Sequence, residues 1–546
     1  MALAIPALVL LVAWAVYKLW KVGQRESFLP PGPPTKPIIG NIDIMPLKDP
    51  QLKFTEWSRQ YGDIYSLKLG PKTMVVVSGI HANKELLDKR TATTADRPDS
   101  YMVDTITDGM HLAFGHYTED WKKLRKASAA ILSPGAVVAH IPIQMAESTQ
   151  LLYDLIQTPK SFKEHTGRYS NSVIMSILFG KRCPRFSSYE SRSFYEINAL
   201  WFDALDLGSN GQPPVDFFPV LKPINELIPE RFAPWKQLAR KIREKQHKLY
   251  FGLVEECEDR MEKAEKGEGI LNDSFVEGVL KRRKEFEMSR ELVGALAGVL
   301  LEGGSESSAA YLRFLMLMMT VFPDAQRKAH EELDRVIGQD RAPRPQDLED
   351  LPYIRAVVNE VYRIRPPVPL SIPHATMQDE EYQGYILPKG TMIYQNLYGI
   401  FHNPEYFAEP EKFWPDRYLV TEHGTKPGVD DSGFRSSLVF GSGRRICPGL
   451  DLGHNNASIN TMNLLWAFNF TPAKGPDGKD VPIDLGAYEV GIVPSPKFDC
   501  TITPRSKNIV DIVEREFAEA TSVFESFEAG LAEDDRKWVE EARKNL

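Results

Sequence analysis

The sequence predicts a single, mainly helical domain with a minor β-sheet, and two observations lead to that fold class. Helical patterns dominate the chain after residue 77, and the longest strongly apolar helical segment spans 292–322. Residues 62–77 alternate apolar and polar side chains around Gly70-Pro71, which predicts a β-hairpin, and short strand-like pieces follow near 382–393 and after residue 481. Helices are therefore expected to form most of the core, with the sheet as a smaller part of it.

The composition is that of an ordinary globular protein with an ample core. Of the 546 residues, 42% are hydrophobic and 26% are charged. The four cysteines are widely scattered and form no CxxC pair, which indicates a reducing compartment and argues against disulfides and structural zinc. The formal net charge of −8 gives no reason to expect a nucleic-acid partner.

The N-terminus, residues 1–22, is predicted to be a membrane anchor. Residues 2–17 are almost wholly apolar, and basic residues follow the run directly, which places the downstream domain in the cytosol. A cleaved signal peptide is the alternative, disfavoured because the basic residues follow the apolar run and no cleavage-like site comes after it. The stretch LPPGPP at 29–34 cannot be helical, so residues 23–37 are predicted to be a stiff, proline-rich hinge.

The strongest chemical signal is the stretch FGSGRRICPG at 440–449. Its three glycines indicate a tightly turning backbone that lets a flat group approach closely. The thiolate of Cys447 would be a soft, electron-donating ligand of the kind that haem iron accepts when the chemistry is O–O cleavage. A glycine-rich turn around a buried structural cysteine is the alternative.

The spacing F-x-x-G-x-R-x-C-x-G is filled at every fixed position, by Phe440, Gly443, Arg445, Cys447 and Gly449. With this motif the chain resembles the cytochromes P-450, the haem-thiolate monooxygenases. The resemblance covers roughly residues 30–504 and implies the P-450 fold over 38–505, with haem b between a long central helix and the cysteine loop. It also implies that Cys447 is the axial ligand of the haem iron, that Phe440 covers the sulfur, that Arg445 contacts a haem propionate, and that Gly449 belongs to the cofactor loop.

Residues 302–308, EGGSESS, interrupt the apolar pattern of the segment 292–322. Two glycines and a buried acid are unfavourable inside a core helix, so broken local rules at this point indicate a functional site. The resemblance assigns the stretch to the family's oxygen-binding groove, with Glu306 relaying protons and Ser307 hydrogen-bonding dioxygen. Most family members have threonine where Ser307 stands. An exposed break between two helices is the alternative.

Trp121 and Arg125 lie four residues apart and share one face of a predicted helix. The resemblance makes them donors to the haem propionates, together with His374 in the stretch SIPHAT. An amphipathic surface helix and an exposed loop histidine are the alternatives. Three further basic residues of this helix are candidates either for a docking face toward an acidic electron donor or for a solvated surface: Lys122, Lys123 and Lys126.

Glu360 and Arg363 form an E-x-x-R pair, and Arg417 lies in FWPDR, which resembles the family's second arginine motif. The resemblance implies that the three side chains form a buried ion triad that fixes the loop presenting the thiolate. The loss of one partner would then leave an uncompensated buried charge, at a cost of about 3–5 kcal/mol.

Residues 506–546 extend past the region that the resemblance covers. Apolar residues recur near helical spacing in this acidic segment, which predicts an amphipathic helix docked on the body or on a partner. A floppy acidic tail is the alternative.

Together these features predict a haem-thiolate monooxygenase of the endoplasmic reticulum that oxidises a small lipophilic substrate with electrons from NADPH. The resemblance implies NADPH–cytochrome P-450 reductase as the electron donor, with cytochrome b5 as a further candidate. The amino-acid sequence around the motifs resembles that of fungal family members that modify terpenoids or aromatic polyketides. No motif specifies the substrate, and selectivity is assigned to residues 101–110, to residues 201–216 and to the strand after Pro369.

Three other functions stay open at this point. A haem-thiolate isomerase or dehydratase needs neither a reductase nor the acid–alcohol pair at Glu306 and Ser307. A fatty-acid or xenobiotic hydroxylase would use the same machinery on other substrates. A non-enzymatic haem-binding or membrane-scaffold protein would leave the motifs unexplained.

Overall fold

The computed structural model describes residues 4–205, 213–269, 271–486, 488–489 and 493–544. Helices make up most of this part of the chain, as the sequence predicts. In chain order the α-helices are α1 (Ala4–Lys21), α2 (Pro50–Tyr61), α3 (Ile80–Asn83), α4 (Tyr101–Thr107), α5 (Glu119–Leu132), α6 (Pro134–Val137), α7 (Ile141–Gln157), α8 (Phe162–Phe179), α9 (Tyr189–Leu205), α10 (Pro214–Phe217), α11 (Lys222–Leu227), α12 (Pro234–Gln246), α13 (Gly252–Glu265), α14 (Phe275–Lys281), α15 (Arg283–Phe286), α16 (Arg290–Val321), α17 (Pro323–Val336), α18 (Pro352–Ile364), α19 (Leu397–Phe401), α20 (Arg417–Val420), α21 (Leu450–Ala467), α22 (Lys507–Glu519), α23 (Thr521–Phe524) and α24 (Glu533–Lys544).

The β-structure is small, and its strands occur in three separate stretches of the chain. The strands are β1 (Ile64–Leu69), β2 (Lys72–Val77), β3 (His374–Ala375), β4 (Glu380–Tyr382), β5 (Tyr385–Leu387), β6 (Met392–Gln395), β7 (Phe468–Pro472), β8 (Tyr488–Glu489), β9 (Ser495–Pro496) and β10 (Cys500–Pro504). The largest sheet has the order β1-β2-β6-β3, in which β1 and β2 form the predicted antiparallel hairpin and β6 runs parallel to β2, with Met392 opposite Met74. Strand β3 carries His374 into this sheet.

The long central helix α16 is unbroken and buried along most of its length. It starts after Ser289, whose hydroxyl accepts a hydrogen bond from the backbone N–H of Leu292, and it ends within two residues of the predicted boundary. The helix continues through Gly303 and Gly304, so the alternative of an exposed break between two helices is wrong. A Cβ at Gly304 would lie 2.6 Å from Ile174 of α8. Part of the glycine signal therefore reflects close helix packing.

The N-terminal helix α1 exposes apolar side chains along residues 9–20 and has Lys18 and Lys21 in its last turn. Among the residues that the structure describes, no single helix is long and apolar enough to cross a bilayer, and only the bent pair 119–132 and 134–157 meets both criteria together, with a bend of 43°. The membrane-spanning anchor predicted for residues 1–22 is therefore not supported by the described residues. Residues 1–3 of that prediction lie outside them.

The proline-rich segment 23–37, which the sequence predicts to be a stiff hinge, lies against the sheet. The guanidinium of Arg25 donates to the carbonyls of Gly32 (2.9 Å) and Pro33 (2.7 Å) and to the hydroxyl of Ser66 in β1 (2.9 Å). Leu29 is buried beneath the same segment. One charged side chain thus folds the segment back on itself and fixes it to the domain.

The described part of the C-terminal segment, residues 506–544, forms α22, α23 and α24, and the first two of these helices pack on α7. The ring of Phe517 stacks on Tyr153 of α7, with 4.6 Å between centroids. Arg182, just after α8, places its guanidinium 3.5 Å from the ring centroid of Phe524 and donates to Glu528 at 2.8 Å. The segment is therefore seated on the body of the domain by both apolar and charged contacts.

Candidate functional site

Cys447 lies in the tight loop between the 3-10 turn Gly443–Arg445 and the start of α21. Its backbone N–H donates to the carbonyl of Phe440 at 2.9 Å, which closes the loop. Burial raises the pKa of the Cys447 thiol, whereas a hydrogen bond from the backbone N–H of Gly449 and the positive charge of Arg125 lower it. A backbone N–H of the loop and a cation of α5 therefore both favour the thiolate form of Cys447.

Side chains that no motif marks hold this loop in place. Asp88 accepts hydrogen bonds from the backbone N–H of Gly443 (2.9 Å) and from Arg435 (2.8 Å), and Arg435 also donates to the carbonyl of Gly441 at 2.7 Å. Gly443 has φ +59° and lies so close to the carbonyl of Leu87 that no side chain would fit. Glycine is thus required at position 443 by the close approach of the chain to itself.

Phe440 is fixed on both sides next to the cysteine. Its ring lies edge-on to Tyr362 of α18, with 5.6 Å between centroids. On the other side it rests on Gly453 of α21, where a Cβ would lie 3.3 Å from the ring. The ring therefore has little freedom to move away from the loop.

Buried cations lie beside the cysteine loop, and Arg445 is central among them. Its guanidinium donates to three backbone carbonyls, those of Ala95 (2.7 Å), Leu112 (3.3 Å) and Gly115 (2.9 Å). Burial lowers its pKa to about 10, and the like charge of Arg125 acts in the same direction. A guanidinium in this position favours the approach of an anion.

Arg97 belongs to the same group of cations, although no sequence pattern singles it out. It donates to the carbonyls of Ala113 (2.7 Å), Ile372 (2.9 Å) and Pro373 (2.8 Å). Burial, and then the charge of Arg445, hold its pKa well below the usual range. The signal is long-range, because its three partners lie in two segments far apart in sequence, and no local pattern could have revealed it.

His374 is buried beside these arginines at the start of β3. Its Nδ1 lies 2.9 Å from the carbonyl of Thr94, to which it donates. Burial lowers its pKa to about 3, and Arg97 and Arg445 contribute in the same direction. The imidazole is therefore neutral at physiological pH.

Trp121 and Arg125 both lie on α5, as predicted, and have different surroundings. The indole of Trp121 lies under Arg445, with the guanidinium carbon 4.1 Å from the ring centroid, and its N–H donates to the carbonyl of Leu112 at 2.8 Å. The N–H predicted to reach a propionate is thus engaged by the chain itself in this structure. The guanidinium of Arg125 forms no hydrogen bond to any described residue and lies close enough to Cys447 to influence its pKa.

The acid and the alcohol of the central helix are adjacent but differently held. Glu306 is buried, and its carboxylate lies 3.4 Å from the guanidinium of Arg313, about two turns further along α16. The hydroxyl of Ser307 donates to the carbonyl of Gly303 at 2.7 Å. Gly303 is exposed within this otherwise buried helix, and a Cβ there would meet no atom within 4 Å. The helix therefore borders an open space at Gly303.

These residues are suited to bind a haem, because they include a sulfur ligand for the iron and cations for the carboxylates. An iron porphyrin with two carboxylates needs a thiolate ligand, cations for the carboxylates and clearance along the distal helix. Cys447 supplies the first and Gly303 the last, and the cations are Arg97, Arg125 and Arg445. Asp96, the carboxylate that interacts with Arg445, is already held by His116 at 3.0 Å, so the cluster retains an excess of positive charge.

The predicted ion triad is brought together in full. Arg363 donates to both carboxylate oxygens of Glu360 (2.7 and 2.8 Å), and Arg417 donates to one of them at 3.2 Å. The carboxylate also accepts the backbone N–H of Trp414 at 2.7 Å. All three charged side chains are almost fully buried, so the charges depend on one another.

A cavity of about 260 Å³ opens between the hairpin, α4 and the segment 368–373. Each of the three stretches to which selectivity is assigned contributes to its wall, through residues such as Val103, Leu205 and Ile372. Most other lining side chains are apolar, with Lys72 and Asp216 among the exceptions. Residues 206–212 of the predicted stretch 201–216 lie outside the described residues.

Residues 30–498 match the family model described as Cytochrome P450. The chain belongs to the cytochrome P450 family. It is 40% identical over 529 residues to a cytochrome P450 monooxygenase of Armillaria gallica, a match that covers 96% of this chain and 99% of that protein. It is 35% identical over 533 residues to the cytochrome P450 monooxygenase yanC of Aspergillus niger, which covers 95% and 97% of the two chains.

Solved structures agree with this assignment to the P450 family. A zebrafish cytochrome P450 determined with progesterone is 25% identical, with a TM-score of 0.68, and the match covers 84% of this chain and 99% of that one. The predicted P450 fold is therefore confirmed, as is the predicted enzyme class, a P450 monooxygenase that incorporates oxygen. The family implies haem as the cofactor. Because the Armillaria match covers 96% of this chain, it includes at least part of segment 506–546.

Proposed function

We propose that this P450 uses NADPH-derived electrons to oxidise a small lipophilic fungal secondary metabolite, a terpenoid or an aromatic polyketide. The observation that carries the proposal is the thiolate loop of Cys447 beside a group of buried cations, one of which, Arg97, also lines the largely apolar cavity. The names of the relatives support the monooxygenase class in fungi, including yanC of Aspergillus niger and atE of Aspergillus terreus.

Each group of residues has a separate task in this proposal. Haem, when bound, supplies the activation of dioxygen. Cys447 would ligate the iron, while Arg97, Arg125 and Arg445 would hold the two carboxylates and thereby fix the plane of the ring. Neutral His374 has its ring proton on Nδ1, so its Nε2 would accept one hydrogen bond beside them without adding charge.

Protons would be handled at two atoms of the central helix. The hydroxyl of Ser307 donates to the carbonyl of Gly303, and a rotation about one side-chain bond turns its proton toward the open space at Gly303. Glu306, whose carboxylate lies 3.4 Å from Arg313, would resupply the proton of that hydroxyl. Serine lacks the methyl group that stiffens threonine, so the proton donor here is less constrained than in most family members.

Electrons would come from NADPH–cytochrome P450 reductase, with cytochrome b5 as a further donor. Of the basic residues of α5, Lys122 and Lys123 lie 2.6 and 3.0 Å from Glu119 and Asp120, so their charges are largely balanced within the helix. Lys126, which is exposed on α5, therefore remains as the residue of this set for an acidic docking partner.

We place the enzyme at the endoplasmic reticulum membrane on the basis of exposed apolar side chains. Helix α1 carries one such surface. A second lies around α11, where Val220 and Leu227 are 80% and 82% exposed. Surfaces of this kind favour association with a lipid bilayer.

The test is a reconstitution of the full-length, haem-loaded chain with reductase. We expect oxygen consumption that requires both NADPH and reductase, together with substrate-induced spectral shifts from a panel of terpenoids and aromatic polyketides. Turnover without reductase would favour an isomerase or dehydratase. Spectral shifts from fatty acids alone would favour a fatty-acid hydroxylase, and either result would overturn the proposal.

A further inference from the structure

The central helix holds a second acid, the partly buried Glu302, that none of the roles above uses. One oxygen lies 3.0 Å from Nε2 of His111. The other accepts hydrogen bonds from the side chains of Gln246 (3.0 Å) and Tyr250 (2.8 Å). The carboxylate therefore ties α16 to the segment before α5 and to the end of α12, three elements that meet over the cavity side of the domain.

The hydrogen bonds of His111 determine the direction of its contact with Glu302. Its Nδ1 accepts the backbone N–H groups of Ala113 (3.1 Å) and Phe114 (3.2 Å). The ring proton must then be on Nε2, which donates it to Glu302. The acid thus orients the imidazole, and the imidazole in turn holds the backbone of residues 113 and 114.

The same segment, 111–115, is held from its other side by the cations of the cofactor site. The carbonyl of Ala113 accepts from Arg97, and the carbonyl of Gly115 accepts from Arg445. Segment 111–115 therefore links the residues that would hold the haem carboxylates to the acid of the central helix.

Phe114, which belongs to segment 111–115, lines the cavity and so connects this segment to the cavity wall. Its ring lies 5.1 Å from the ring of His111 and 5.8 Å, edge-on, from Trp201 of α9. We propose that Glu302 is a positioning residue that sets the place of Phe114 through His111, and so selects which lipophilic molecules the cavity accepts. The proposal rests on the proposed function, because it concerns the same site.

In this structure all three partners of the Glu302 carboxylate donate to it. A carboxylate removed from water is costly unless its oxygens are hydrogen-bonded, and Glu302 meets that condition. A glutamine at this position could keep the three contacts, because the amide of Gln246 and the hydroxyl of Tyr250 can also accept. The substitution Glu302→Leu keeps roughly the size of the side chain and removes both accepting oxygens, so all three hydrogen bonds are lost. Without the contact to Glu302, His111 and segment 111–115 lose their hold on that side.

The experiment compares two azoles that bind the iron of the purified, haem-loaded full-length chain. Imidazole is small and needs only the iron site, whereas clotrimazole carries three aromatic rings that must also fit the cavity wall. Spectral titration is expected to show that Glu302→Leu weakens clotrimazole binding about tenfold and imidazole binding less than twofold. The control Glu291→Leu, in the exposed first turn of the same helix, is expected to change neither.

A double-mutant cycle with Phe114→Ala tests the route of the effect. If Glu302 acts through Phe114, Glu302→Leu in the Phe114→Ala background is expected to change clotrimazole binding less than twofold. A full tenfold effect in that background, or an equal loss of both azoles in the single variant, would overturn the inference and leave the proposed function standing. A wild-type chain whose spectrum neither azole shifts would contradict the proposed function as well.

Discussion

Arg445 stacks on the indole of Trp121, with its guanidinium carbon 4.1 Å from the ring centroid. A cation–π contact of this kind contributes about 0.5–2 kcal/mol, and it holds the cation in the place where a haem carboxylate is expected. Trp121→Ala should therefore speed haem loss to excess apomyoglobin about tenfold. Trp121→Phe keeps the aromatic face and should change the rate less than threefold. Equal rates in wild type and Trp121→Ala would contradict this role.

The triad around Glu360 predicts a large loss of stability from a small change. Glu360→Gln removes the only carboxylate that Arg363 and Arg417 share among the described residues, which leaves buried positive charge at a cost of about 3–5 kcal/mol. Denaturant unfolding followed by fluorescence measures the difference.

The matched control for this variant is Glu409→Gln, whose carboxylate pairs with the exposed Lys412 at 3.3 Å. An exposed pair contributes about 1 kcal/mol or less. A control that destabilises the chain as much as Glu360→Gln would show that the cost does not come from buried charge.

The C-terminal segment should stabilise the domain without affecting the chemistry. Glu528 accepts from the buried Arg182 (2.8 Å) and from Arg543 (2.8 Å), so Glu528→Gln is expected to lower the free energy of unfolding by about 1.5–3 kcal/mol. Glu540→Gln, at an exposed position of α24, should have no measurable effect. Turnover per haem is expected to stay unchanged in both, and a loss of turnover at full haem content would refute a purely stabilising role.

The pair His116 and Asp96 predicts a dependence of stability on pH. The hydrogen bond to Asp96 raises the pKa of His116, while that bond holds the pKa of Asp96 at about 2 against the cost of burial. A histidine whose pKa is raised on folding stabilises the folded state. The stabilisation is fully present at pH values below the pKa of the unfolded state, about 6.5, and it is lost as the pH rises through the higher pKa of the folded state.

His116→Gln removes this contribution and tests its sign. The variant should therefore be less stable than wild type at pH 5.5 by a few tenths to about 1 kcal/mol, as expected for a half-exposed pair, and the difference should shrink above pH 8. A difference that grows with rising pH would show that the sign is wrong. Asp96 adds nothing to this window, because its own stabilising effect fades only as pH falls toward 2.

Local patterns in the sequence were sufficient for the parts of this site that lie close together along the chain. Each of these parts is one continuous stretch of chain. The cysteine motif forms a loop before α21, the E-x-x-R pair lies in α18, and the long apolar segment forms α16. The second arginine, Arg417, could be joined to Glu360 only through the family resemblance.

The contacts that the sequence could not reveal join segments far apart. Arg97 reaches Pro373, and Glu302 reaches both His111 and Tyr250. Such contacts depend on tertiary packing, which leaves no periodic trace. Composition indicates a stiff segment at the hinge but could not reveal that Arg25 binds it to the sheet.

The most direct test of the account is the ligand of the iron. Cys447→His, loaded with haem and reduced under carbon monoxide, replaces sulfur with nitrogen at the axial position. We expect the wild-type chain to show the red-shifted Soret band of a thiolate-ligated haem, and the variant to show the band of a histidine-ligated haem and no NADPH-dependent turnover. A variant that kept the thiolate-type band and its turnover would contradict the assignment of Cys447 as the ligand.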